Sequence, residues 1–180
     1  IPTPLTIEKE GHNDINIDSA DYDTKPFHGS PYYAWRLGKW NGSKAWELEL
    51  VHHKIYLQND HDDIQNFSIS HGYNLITVNK ARKKNGFIYR YGAGIVLTHP
   101  EFELYNEQVD QTKGLMNKGF HLSGVTGQAT VAKRYKLTEK LFATAEGKFT
   151  LSYANVEIED VTAKVPNSAL HLLVGLGYKF

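Results

Sequence analysis

The last eleven residues, Leu170-His171-Leu172-Leu173-Val174-Gly175-Leu176-Gly177-Tyr178-Lys179-Phe180, place an apolar side chain at every second position. Alternate side chains of an extended strand share a face. Leu170, Leu172, Val174, Leu176, Tyr178 and Phe180 therefore line one side, and His171, Gly175, Gly177 and Lys179 the other.

The same pattern recurs toward the N-terminus. Residues 141–153 set Leu141, Ala143, Ala145, Phe149, Leu151 and Tyr153 against Thr144, Glu146, Lys148, Thr150 and Ser152. Residues 121–135 set Val125, Ala129, Val131 and Tyr135 against Thr126, Gln128, Thr130 and Arg134. Strands follow at about 86–98 and 66–78, and a hairpin joins the runs 33–39 and 46–50 through Asn41-Gly42-Ser43-Lys44, because Asn-Gly between alternating runs is a turn signal. A strand around Thr3–His12 brings the count to eight. No segment carries helical periodicity. The connections alternate in length: 13–30 long, 41–44 short, 58–65 medium, 79–85 short, 99–119 long, 136–140 short and 155–168 long. The short ones are basic, and the long ones hold most of the acids, including Asp14, Asp18, Asp60, Asp62, Glu157 and Asp160.

Composition narrows the function. The 180 residues carry 20 Lys+Arg and 20 Asp+Glu, a balance that argues against a nucleic-acid binder, since phosphate recognition needs a net basic surface. Without cysteine there is no disulfide framework, thiol catalysis or cysteine-ligated zinc. No apolar run reaches the roughly 18 residues of a membrane helix, which leaves crossing by strands open. No internal repeat or low-complexity linker divides the chain, so residues 1–180 read as one domain. The first residue is Ile1, as in a mature chain whose targeting peptide has been removed.

The C-terminal strand, with Tyr178 third from the end and Phe180 last, resembles the terminal strand signal of bacterial outer-membrane β-barrels. The rest of the chain is similar only in architecture, to small barrels of the OmpA, OmpX, OmpW and PagP type. The resemblance implies an all-β, eight-stranded antiparallel up-and-down transmembrane β-barrel in the outer membrane, with both termini in the periplasm. It also implies contact with outer-membrane lipid and lipopolysaccharide, and recognition of Tyr178 and Phe180 by the barrel-assembly machinery. A lipocalin-like soluble barrel is disfavoured by the charges and small residues that share one face and by the aromatics near the strand ends.

If the polar face is the lumen, its charges must pair. Arg36, Arg90, Arg134 and Lys148 against Glu47, Glu49 and Glu146 would fill it, which argues against a diffusion porin. Pairing Leu57 with Asn66 would set His53 beside Ser70, with Glu49 opposite Asn74 on the same face. That is the raw material of an activated nucleophile. Two functions follow: a structural or surface-binding barrel acting through its extracellular loops on an external ligand, or a lipid A or phospholipid acyl hydrolase or acyltransferase using His53, Ser70 and Glu49. The loops at Asp14–Asp23 and Asn59–Asp63 match no calcium-loop motif, and no metal or other cofactor is expected.

Overall fold

Tight turns at one end of the molecule set the register of a single antiparallel sheet. In the computed structural model, which describes residues 1–26, 31–109, 114–115 and 118–180, the strands are β1 (Thr3–Lys9), β2 (Ile15–Ala20), β3 (Tyr22–Asp23), β4 (Tyr33–Asn41), β5 (Lys44–Leu57), β6 (Ile64–Lys84), β7 (Phe87–Thr98), β8 (Glu101–Leu104), β9 (Glu107–Gln108), β10 (His121–Lys136), β11 (Leu141–Ile158) and β12 (Val161–Tyr178). Among the described residues there is no helix. Asn85 and Gly86 both have positive φ (52° and 78°), the conformation that matches the twist of a two-residue hairpin, and they join Lys84 to Phe87. Gly42 opens the equivalent turn between Asn41 and Lys44.

Seven long strands run up and down, each beside its neighbour: β4-β5-β6-β7-β10-β11-β12. The sheet is not closed into a barrel by a continuous ladder. Its path ends at β2, which pairs with β1 on β12, and at β3, which pairs with the top of β5. Asp21 alone separates β2 from β3 in the chain, so residues 15–23 link the two ends. Lower down, β4 and the last half of β12 each carry one edge without a ladder partner among the described residues. Tyr32 Oη to His171 Nδ1 at 3.0 Å and Arg36 to Glu146 at 2.7 Å join the two sides there.

Side-chain exposure divides the molecule into two storeys. On β11 the outward residues Leu141, Phe149, Leu151 and Tyr153 are exposed and the inward Glu146, Lys148, Thr150 and Ser152 buried. Beyond Tyr153 the alternation keeps its phase but reverses its chemistry, with Ala154, Val156 and Ile158 buried and Glu157 exposed. β12 repeats the switch: Val161, Ala163 and Val165 are buried, whereas Leu170, Leu172, Val174 and Leu176 face outward, Leu172 at 85% and Val174 at 90% exposure. The upper storey is cored by Leu5, Ile7, Ile55, Phe67, Ile69, Phe102 and Leu104 with these β11 and β12 residues. The lower storey is polar within and apolar without.

Three expectations are corrected. The stretch 155–168 is not a long loop: β11 and β12 extend through it and turn at Glu159-Asp160, because its residues alternate with polar groups on the outside. Lys80, Arg82, Lys83 and Lys84 belong to β6 rather than to a turn. The N-terminal strand is not a full-length stave. It ends at Lys9 and pairs with β12 only at Val161–Lys164, which places it in the upper storey, at the end opposite the C-terminus. The long connections 13–30 and 99–119 contain β2, β3, β8 and β9, and their remaining parts at 27–30, 110–113 and 116–117 lie outside the described residues.

Candidate functional site

The lower interior is a closed ion-pair network. Inward positions of β4, β5, β7 and β11 bring Arg36, Arg90 and Lys148 against Glu47, Glu49 and Glu146, three cations to three carboxylates, so the cluster is neutral. Arg36 donates two hydrogen bonds to Glu146 at 2.7 Å and one to Glu49 at 2.5 Å. Arg90 Nε donates to Glu47 at 2.5 Å, and Lys148 pairs with Glu49. Gln128 donates to Glu49 Oε2 at 2.6 Å and to Asn79 Oδ1 at 2.6 Å. Glu49, 1% exposed, is the hub. Six of the seven charged residues expected to fill the lumen meet there. Arg134 lies apart, its guanidinium 3.9 Å from the Phe142 ring centroid.

Tyr178 and Phe180, expected as an assembly signal, stand at the lower end of the open β12 edge, exposed at 58% and 97%.

His53 and Ser70 are not brought together. The ladder pairs His53 with Tyr73 and Glu49 with Thr77, three residues away from the register that would have joined them, and a bulge follows between His53 and Ile55. His53 points into the interior, edge-on to Tyr32, Tyr73 and His171 with ring centroids 6.5, 6.1 and 5.2 Å away. His52 lies beside Asn74, Nδ1 to Oδ1 2.8 Å, and stacks on Tyr33.

Ser70 belongs to another cluster, where β6 meets the start of β8. Its hydroxyl donates to Glu101 Oε2 at 2.6 Å, and His71 Nδ1 lies 2.5 Å from Glu101 Oε1. The imidazoles of His71 and His99 are 5.0 Å apart, and His99 lies against Phe120. Burial holds His99 below its ordinary value of 6.5, with His71 acting in the same direction. Gly72 shapes the bend: its φ of 138° disfavours a side chain, and a Cβ there would lie 2.2 Å from Asn74 Nδ2. Sequence reasoning missed Glu101 and His99, yet the signal was present. Counting back from the Asn85-Gly86 turn puts His99 opposite Gly72, where its N–H donates to Gly72 O at 2.9 Å.

At the loop end, Gly11–Asn16, His61, Asp63 and Tyr105 line an open polar depression of about 720 Å³, with His12 stacked on Tyr105 at 3.8 Å. Among the described residues no group of three or more His, Cys, Asp or Glu is placed to hold a metal. Comparison with protein-family models, curated proteins and solved structures finds no match to the chain.

Proposed function

We propose that the chain is an up-and-down β-barrel of the bacterial outer membrane walled by the seven long strands, with β1 joining only in the upper storey, a structural or surface-binding protein whose lower storey lies in lipid and whose upper storey stands in water. The reversal of polarity along β11 and β12 carries this reading. From Phe87 to Leu97 on β7 the outward side chains span ten residue steps, or roughly 25 Å for a tilted strand, about the height of the apolar band of such barrels. A water-exposed wall of Trp35, Leu37, Trp46, Leu48, Tyr91, Leu172 and Val174 would be an aggregation surface, whereas lipid satisfies it. The lower rim adds outward aromatic rings with lysine ammoniums over them, Lys80 on Trp46 at 4.9 Å and Lys140 on Tyr178 at 5.9 Å, as suits the headgroup level.

The ion-pair plug fills the lower interior and argues against a pore, so in this reading the work falls to the upper storey and its loops, where the depression beside His12 and Tyr105 supports capture of a polar ligand. Lipopolysaccharide and phospholipid are the surrounding partners in this reading, and Tyr178 and Phe180 form the assembly signal. The test uses the chain's three tryptophans, all on β4 and β5. Brominated acyl chains should quench their fluorescence in reconstituted vesicles while aqueous iodide leaves it unchanged, and planar bilayers should show no steady conductance. Quenching by iodide alone would overturn the membrane placement.

A further inference from the structure

Directly above the last outward apolar residues of β7 and β10 stands a dyad that the interior plug does not use. Leu97 pairs with Leu122, and one step higher Thr98 pairs with both Tyr73 and His121. The backbone then places His99 against Gly72, with His71 and Glu101 beside it. Glu101 is fixed at both oxygens, one accepting from Ser70 at 2.6 Å, the other meeting His71 Nδ1 at 2.5 Å. A carboxylate at Nδ1 selects the tautomer with the proton there and leaves Nε2 as the basic nitrogen. The His71 side chain is 58% exposed, so Nε2 is accessible, while Glu101, at 22%, is sheltered.

The geometry points to His71 as a general base that hydrolyses an acyl ester of a membrane lipid at headgroup level, with Glu101 and Ser70 as positioning residues. The inference rests on the membrane placement proposed above, which sets His71 where an ester between acyl chain and headgroup lies. His71 Nε2 takes a proton from water as the water oxygen adds to the ester carbonyl. The tetrahedral adduct expels the alcohol oxygen, which receives that proton from His71, and a fatty acid and a headgroup hydroxyl are released. Ser70 is no nucleophile here: its hydroxyl is committed to Glu101, and Nδ1, 3.2 Å away, faces the same carboxylate.

The experiment incubates the full chain in two kinds of vesicle, phosphatidylethanolamine with phosphatidylglycerol, and the same lipids with lipid A, and follows released fatty acid by mass spectrometry. Tryptophan quenching by brominated lipid is measured on every sample. Release is expected in at least one vesicle type, and the type names the source of the ester. His71→Asn should lower it at least 100-fold with quenching unchanged. Glu101→Gln should lower kcat about tenfold or more with KM and quenching unchanged, because the ring loses the carboxylate that orients it. His99, whose ring centroid lies 5.0 Å from that of His71, remains in both samples. Ser70→Ala should keep most of the activity. Quenched, inserted protein that releases no fatty acid, or equal release by His71→Asn, would overturn the dyad and leave the membrane placement standing. Loss in Ser70→Ala with an acyl-serine adduct in the wild type would overturn the water mechanism. Absence of quenching would instead remove the premise.

Discussion

Removing the Glu49 carboxylate would leave Arg36 and Lys148 facing each other inside the lower storey with Glu47 and Glu146 as the remaining anions. An uncompensated buried charge destabilises more than an intact pair stabilises, about 3–5 kcal/mol when one partner is lost. Glu49→Ala should therefore lower the urea midpoint of refolded protein by that order, and pairing it with Lys148→Met should recover part of the loss. Equal midpoints for Glu49→Ala and wild type would show that water enters the plug. A second residue-scale expectation concerns acid. Burial disfavours the charged form of His99, so its contribution is complete above the unfolded value near 6.5 and is lost as the pH falls below it. Hydrogen exchange over 99–105 should accelerate between pH 7.5 and pH 5 relative to β10 and β11. An unchanged ratio would show that His99 charges freely in the folded state.

Polarity reversal is a property of whole strands, and it separates substitutions that look alike in sequence. On β12, Leu172→Arg puts a cation on the middle of the apolar wall and should cost about 2–4 kcal/mol in vesicles, whereas Lys164→Leu, eight positions earlier on the same outward face, should move the unfolding midpoint by less than 1 kcal/mol. Equal effects would contradict the division into storeys. The same reversal explains what could be read from the sequence. Most of the lower strands were legible because large apolar groups recur at every second position. The stretch 155–168 was not, because counting its acids hid an alternation whose buried members are Val156, Ile158, Val161, Ala163 and Val165. Register was legible where a tight turn fixed it: counting from Asn41-Gly42 sets Arg36 opposite Glu49, and from Asn85-Gly86 sets Tyr73 opposite Thr98. It failed across the medium loop between β5 and β6, where the bulge at His53–Ile55 breaks any count and the His53–Ser70 pairing depended on that count.

For the molecule as a whole the decisive feature is the seam between β4 and the lower half of β12. Among the described residues each strand there offers one row of backbone N–H and C=O groups to no ladder, and side-chain contacts such as Tyr32 with His171 and Arg36 with Glu146 join the two sides. In water such an edge is solvated. In hydrocarbon each unsatisfied group costs several kcal/mol, so a sheet that enters a bilayer is driven to close. Hydrogen exchange in two environments separates these states. In detergent-free denaturant-refolded protein, about half the amides of 33–41 and of 169–178 should exchange much faster than those of β10 and β11, which are laddered on both sides. In vesicles the same amides should become as slow as β10 and β11, because the two edges then pair. Fast exchange that persists in vesicles would mean that the seam stays open and is lined by water or lipid, and the closed barrel would have to be abandoned even if the apolar wall is buried in the membrane.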